Sequence, residues 1–133
     1  MGTPAHNETM NVVARRYANA LVLRVAGRLD QDTCEAFRGE LMPHVETALR
    51  DGAALILDLS GVEYVSSAGL RCFVIASRRV KAGKGRILVA DLQPMVAEIF
   101  EISHFDALMD VLPTVRDALG AISAEAVAAY GRG

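Results

Sequence analysis

The sequence has no tryptophan and few aromatic residues of any kind, with Phe, Tyr and Trp making up 5% of its 133 positions. Its core must therefore be built from aliphatic side chains, and an apolar content of 52% is enough to supply one. Cysteine is equally scarce. Cys34 and Cys72 are too few for a disulfide framework and read as reduced thiols inside helices of a cytosolic protein. No apolar run approaches the roughly 20 residues that a membrane-spanning helix needs. The opening residues, MGTPAHNETM, lack a cationic stretch followed by an apolar one, so no secretory leader is expected. His6 stands where a myristoylation signal would want Ser or Thr. Neither sign of charge dominates. A net charge of −2 gives no electrostatic basis for nucleic acid or an anionic membrane, since both are bound by neutralising phosphate. These exclusions leave a cytoplasmic domain, long enough for one core and too short for two.

Chemistry-bearing motifs are also missing. His6, His44 and His104 are scattered, without metal-ligand spacing to cysteine or acidic residues. Lys81-Ala82-Gly83-Lys84-Gly85 has neither the preceding glycine nor the following Ser or Thr of a phosphate-binding loop, and Gly27 stands alone where a dinucleotide fingerprint would need three glycines. Ser67 has Gly69 two residues after it, like a hydrolase nucleophile, but Val65 occupies the other glycine position. His104 is the one histidine that follows it. An enzyme is not expected, nor any metal or cofactor.

The pattern that is present divides the chain into a polar lead (1–11), a folded domain (12–122) and an Ala-rich tail (123–133). Residues 12–17 and 20–26 are β-rich runs joined by Ala18-Asn19, a spacing that suits an antiparallel hairpin. Cys34, Phe37, Leu41, Val45 and Ala48 then recur at helical spacing behind a cap at Asp32 or Thr33, with Pro43 expected to kink or break the helix. Residues 54–59 form the strongest strand, and a loop through Val65 leads to a helix carrying Leu70, Phe73, Val74 and Ser77. Arg78, Arg79, Lys81 and Lys84 crowd the end of that helix, where the macrodipole favours cations. A strand at 86–90, a helix opened by Pro94, a short strand at 107–109 and a helix from Pro113 complete the order β-β-α-β-α-β-α-β-α. Nearly continuous apolar strands alternating with helices imply an α/β fold. Its sheet is mixed and mostly parallel, with four to five strands, an antiparallel N-terminal strand and about four helices.

Within this frame one feature exceeds structural need. Ser66 and Ser67 stand just before the helix that begins near Ala68 or Gly69. Capping that helix takes one hydroxyl, which leaves the other without a structural task. The small side chains of Ser66, Ser67, Ala68 and Gly69 leave the helix start open to a partner. A phosphate added there meets free N–H groups at the helix start, so the fold tolerates it while the surface changes sharply.

The segment Leu55-Ile56-Leu57-Asp58-Leu59-Ser60-Gly61-Val62, followed by Tyr64-Val65-Ser66-Ser67-Ala68-Gly69-Leu70, resembles the signature of the STAS family. More narrowly, it is similar to the family's anti-sigma factor antagonists. Val25-Ala26-Gly27-Arg28-Leu29-Asp30 upstream, with Gly85-Arg86-Ile87-Leu88-Val89 and Ile99-Phe100-Glu101-Ile102 downstream, extends the likeness over residues 12–122. The resemblance implies a STAS-like fold and a protein that binds an anti-sigma factor with serine kinase activity, so freeing a sigma factor. It further implies that the kinase phosphorylates the antagonist at the start of the second helix and that a cognate phosphatase resets it. Matched by position, the phosphoacceptor is Ser67, with Ser66 as second candidate. Asp30, Ser66, Ser67, Ala68 and Gly69 form the partner-binding surface, Gly69 keeping the helix start open. Many members carry Asp where this chain has Ser66. That departure points to the alternative within the family, a non-phosphorylated scaffold or an accessory subunit of a transporter or sensory complex.

Overall fold

The computed structural model describes residues 10–132. Most of the expected N-terminal lead lies outside the described residues, while Met10 and Asn11 already belong to the first strand. The elements are β1 (Met10–Tyr17), β2 (Ala20–Leu29), α1 (Cys34–Asp51), β3 (Ala54–Val65), α2 (Ser67–Ala82), β4 (Ile87–Ala90), α3 (Pro94–Ile102), a 3₁₀ turn (Phe105–Ala107), β5 (Asp110–Leu112), α4 (Val115–Ile122) and α5 (Ala124–Arg132). Five strands lie side by side in chain order, with β1 antiparallel to β2 and every later pair parallel. This is the mixed, mostly parallel sheet that the apolar runs imply.

Successive side chains of a strand point to opposite faces, and in this sheet both faces are covered. Leu21, Leu23, Val25, Leu55, Leu57, Leu59 and Val89 pack against buried residues of α1, α2 and α3. Ala20, Val22, Ile56, Leu88 and Ala90 pack on the other side against Val115, Ala118, Leu119 and Ala126. Two-sided burial is the reason why 20–23 and 54–57 read as unbroken apolar runs. The chain's four phenylalanines gather in the first core, where Phe73 lies 5.5 Å from both Phe37 and Phe100, and Phe100 lies 4.9 Å from Phe105. The phenylalanines are few, and all of them lie in this one core.

Several elements differ from the sequence reading. α1 runs unbroken through Pro43, because both Pro43 and Gly39, the carbonyl that loses its donor, face solvent while Phe37, Leu41, Val45 and Ala48 bind the two halves to the core. β2 and β3 run past 26 and 59 to Leu29 and Val65, through register shifts after Arg24 and after Gly27. Gly27 has φ of 114°, and a side chain at Gly61 would bring its Cβ within 2.8 Å of the Ala26 Cβ, so glycine at these positions permits the irregular ladder. The strand expected at 107–109 lies further on, as β5. Phe105 and Met109 are drawn into the core before it, and the edge strand itself is largely exposed. Pro113 precedes α4 rather than starting it. The cap is Thr114, whose hydroxyl accepts the Asp117 N–H at 3.0 Å. The Ala-rich tail is a fifth helix, held by buried Ala126 and by Tyr130 set edge-on to Tyr17 at 5.2 Å. No helix among the described residues is long and apolar enough to cross a membrane.

Candidate functional site

The extensions of β2 and β3 carry the sheet up to the serine turn. Ser66, in extended conformation, is the N-cap of α2. Its N–H donates to the Leu29 carbonyl at 2.8 Å, which ties the end of β3 to the end of β2, and its Oγ accepts the Gly69 N–H at 3.3 Å. Ser67 is the first helical residue and is exposed, and its hydroxyl has no hydrogen-bond partner among the described residues. The two serines therefore divide the work: one caps, the other is free. Ala68 is half-buried and Gly69 is buried. A Cβ at Gly69 would fall 2.6 Å from the Leu29 carbonyl oxygen and 3.1 Å from Val65 Cγ1. Gly69 thus serves an internal contact, letting the end of β2 close on the helix start.

The segment after β2 runs beside this turn. Asp30 Oδ1 accepts the N–H groups of Asp32 and Thr33 at 3.0 and 3.2 Å. Thr33 occupies the cap position of α1 without a side-chain cap bond. Its buried hydroxyl turns back instead, donating to the Arg28 carbonyl at 2.7 Å and accepting the Asp30 N–H at 2.9 Å. Asp30 is held rigidly as a result. Its second carboxylate oxygen lies 3.8 Å from Arg28 Nε, and the Arg28 guanidinium stacks on the Tyr64 ring at 4.7 Å. In the sequence Thr33 stood out only as a candidate cap, and Arg28 and Tyr64 only as members of the motif segments, not as partners in this site. The signal for the Arg28–Tyr64 contact is the strand register, which places the two residues opposite each other.

A groove of about 390 Å³ opens between the first turns of α1 and α2, its lining including Gln31, Cys34, Arg38, Ala68, Arg71 and Cys72. Burial, with Cys34 acting in the same direction, pushes the Cys72 thiol above its ordinary value. Further down the same helix pair, Arg79 holds Glu46 with two bonds of 2.6 and 2.7 Å. Arg86 donates to the Ala121 carbonyl at 2.9 Å. Arg79, among the cations at the end of α2, and Arg86 just beyond them thus have partners within the protein. His104 lies at the far end of α2 from Ser67, since the Asp106 that follows it shares a cleft with Lys81. No group of three or more potential metal ligands occurs among the described residues.

A conserved domain model described as the STAS domain matches residues 11–118. The chain belongs to the STAS family. Among its relatives, BtrV of Bordetella bronchiseptica is 29% identical over 102 residues, covering 77% of this chain and 85% of that protein. The anti-sigma-B factor antagonist of Bacillus subtilis is 28% identical over 102 residues, covering 77% and 90%. A crystal structure of an anti-sigma factor antagonist from Mycobacterium paratuberculosis superposes with a TM-score of 0.72 at 23% identity, over 89% of this chain and 97% of that one. SpoIIAA of Bacillus in its phosphorylated form superposes with a TM-score of 0.61 at 21% identity, over 85% and 100%. These structures share the fold of this STAS protein.

Proposed function

We propose that this STAS protein is an anti-sigma factor antagonist, acting in the cytoplasm and switched at Ser67. It binds an anti-sigma factor across the surface formed by Asp30, Ser66, Ser67 and Ala68, with Gly69 setting the close approach beneath them. The partner, itself a serine kinase, phosphorylates Ser67 and is released, and a cognate phosphatase restores the binding form. The observation that carries this reading is the free, exposed hydroxyl at the first position of α2, next to a second serine that already caps the helix. The relative in Bacillus subtilis bears the name of such an antagonist, and a solved neighbour of the fold exists in phosphorylated form.

The physical consequences agree with a switch. A phosphate brings about −1.5 to −2 charges to a surface shaped for a partner, yet sits where the α2 macrodipole accommodates an anion. Arg71, one turn along α2 from Ser67, is spaced to pair with it. The test is incubation of the full chain with its kinase partner and ATP. One phosphate is expected, on the peptide carrying Ser67, by mass spectrometry. Ser67→Asp should lose partner binding while melting within about 2 °C of wild type, as surface substitutions do. Undiminished binding by Ser67→Asp would overturn the proposal.

A further inference from the structure

Cys34 and Cys72 share one groove. Cys34 opens α1 and is half-buried on the groove wall, while Cys72, in α2, is 4% exposed beneath it. The Cys72 thiol donates across the helix interface to the Cys34 carbonyl at 3.4 Å, a shorter contact than its intrahelical one to the Ala68 carbonyl at 3.7 Å. The Cys72 sulfur therefore already lies against the backbone of its counterpart on the neighbouring helix. The Cys34 thiol itself donates to the Gln31 carbonyl at 3.5 Å. Ala68 and Arg71, which flank Ser67 and follow it by a turn, line the same groove.

We propose that Cys34 and Cys72 form a reversible intramolecular disulfide when the chain meets a peroxide, fastening the first turn of α1 to α2 beside Ser67. A disulfide needs Cα atoms within about 7 Å. The Cys72 sulfur lies 3.4 Å from the Cys34 carbonyl oxygen, and the bond requires the Cys34 side chain to rotate from the Gln31 carbonyl toward it. The chemistry balances in two steps. Cys34 sulfur attacks one peroxide oxygen, the O–O bond breaks, and the products are Cys34 sulfenic acid and water (an alcohol from an organic peroxide). Cys72 sulfur then attacks Cys34 sulfur, the S–O bond breaks, and the sulfenic hydroxyl leaves as water with the Cys72 proton. Two thiols are oxidised and one peroxide is reduced. Exposure sets the order, because Cys34 meets the oxidant while buried Cys72 resolves the sulfenic acid. Where a disulfide does form in a cytosolic protein it is usually transient and catalytic or redox-sensing.

The crosslink joins the element that follows Asp30 to the element that carries Ser67, so oxidation changes how the two move relative to each other. An effect on partner binding rests on the proposed function, whereas the disulfide itself does not. The experiment treats the full chain with stoichiometric hydrogen peroxide under native conditions. The expected product is a monomer lighter by the mass of two hydrogens, with a non-reduced tryptic peptide joining Cys34 to Cys72. Its melting temperature rises, and dithiothreitol reverses both changes. In Cys72→Ser, dimedone should trap a sulfenic acid at Cys34 that wild type does not accumulate. Progression of wild-type Cys34 to sulfinic acid without the joined peptide, or disulfide-linked dimers only, would overturn the proposal. The wild-type peptide map decides the matter even if Cys72→Ser folds poorly.

Discussion

At Ser66 the hydroxyl accepts the Gly69 N–H, so Ser66→Ala should lower stability by about 1 kcal/mol, the usual cost of losing an N-cap. Ser67→Ala removes a hydroxyl with no hydrogen-bond partner among the described residues and should stay within about 0.5 kcal/mol of wild type. Urea denaturation of the two variants separates these outcomes, and a larger loss at Ser67 would reverse the assignment. Gly69→Ala is the severe change at this turn. Its methyl would meet the Leu29 carbonyl, a backbone atom that cannot swing aside, and a loss of about 1–3 kcal/mol is expected from such overpacking, read as a lower urea midpoint. Two serines followed by a small residue and glycine were legible as a special helix start. Which serine caps was not, because the answer depends on the hydrogen bond between Ser66 N–H and the Leu29 carbonyl, and Leu29 lies in a strand distant in sequence. Gly69 shows the same limit: its smallness looked like openness and is in fact close internal packing.

Among the elements, α1 offers the sharpest test. Pro43 withholds a donor from Gly39 in the middle of an otherwise regular helix. Pro43→Ala should restore that bond and stabilise the protein by about 1–2 kcal/mol, after allowance for the greater freedom Ala gives the unfolded chain. A raised melting temperature with unchanged helical circular dichroism would bear this out; a lowered one would mean that the proline favours an N-terminal bend the fold needs. Strands buried on both faces, such as Ala54–Leu57, were legible because their apolar runs are continuous. The distal part of β3, Ser60–Val65, was not, because Ser60, Gly61 and Glu63 interrupt the run while Val62 and Val65 still reach the core. β5 escaped for the opposite reason. It is an edge strand with little to bury, and Met109, which ended the strand expected at 107–109, is drawn with Phe105 into the core before it.

For the molecule as a whole, the pairing of α1 with α2 has an electrostatic component that pH reveals. The hydrogen bond from Arg79 holds the Glu46 carboxyl below its ordinary value of 4.5. A carboxyl lowered by folding stabilises the protein above its unfolded value and loses that contribution as pH falls through the folded one. Glu46→Gln should therefore be less stable than wild type at neutral pH, with the gap closing below 4.5 and narrowing in high salt. A gap that does not change with pH would show that the pair acts through packing alone. The Cys34–Cys72 groove and the Arg28–Tyr64 stack belong to this scale as well. Each joins segments that only the assembled sheet brings together, and neither was visible in the sequence.

The order β1-β2-β3-β4-β5 carries a consequence for how the chain is made. As it emerges from the ribosome, each strand finds its partner already synthesised, so the sheet can be laid down from one edge to the other without waiting for distant sequence. The exception is the far side of the first hairpin. Ser123 Oγ donates to Asn19 Oδ1 at 2.7 Å and Tyr130 packs edge-on to Tyr17, so a segment synthesised more than 100 residues later closes over the first hairpin. Val115, Ala118 and Leu119 of α4 cover most of the apolar face around Val22, Ile56 and Leu88, and Ala126 of α5 completes the cover, so the nascent chain's exposure to aggregation or chaperone binding on this face persists until α4 and α5 have docked.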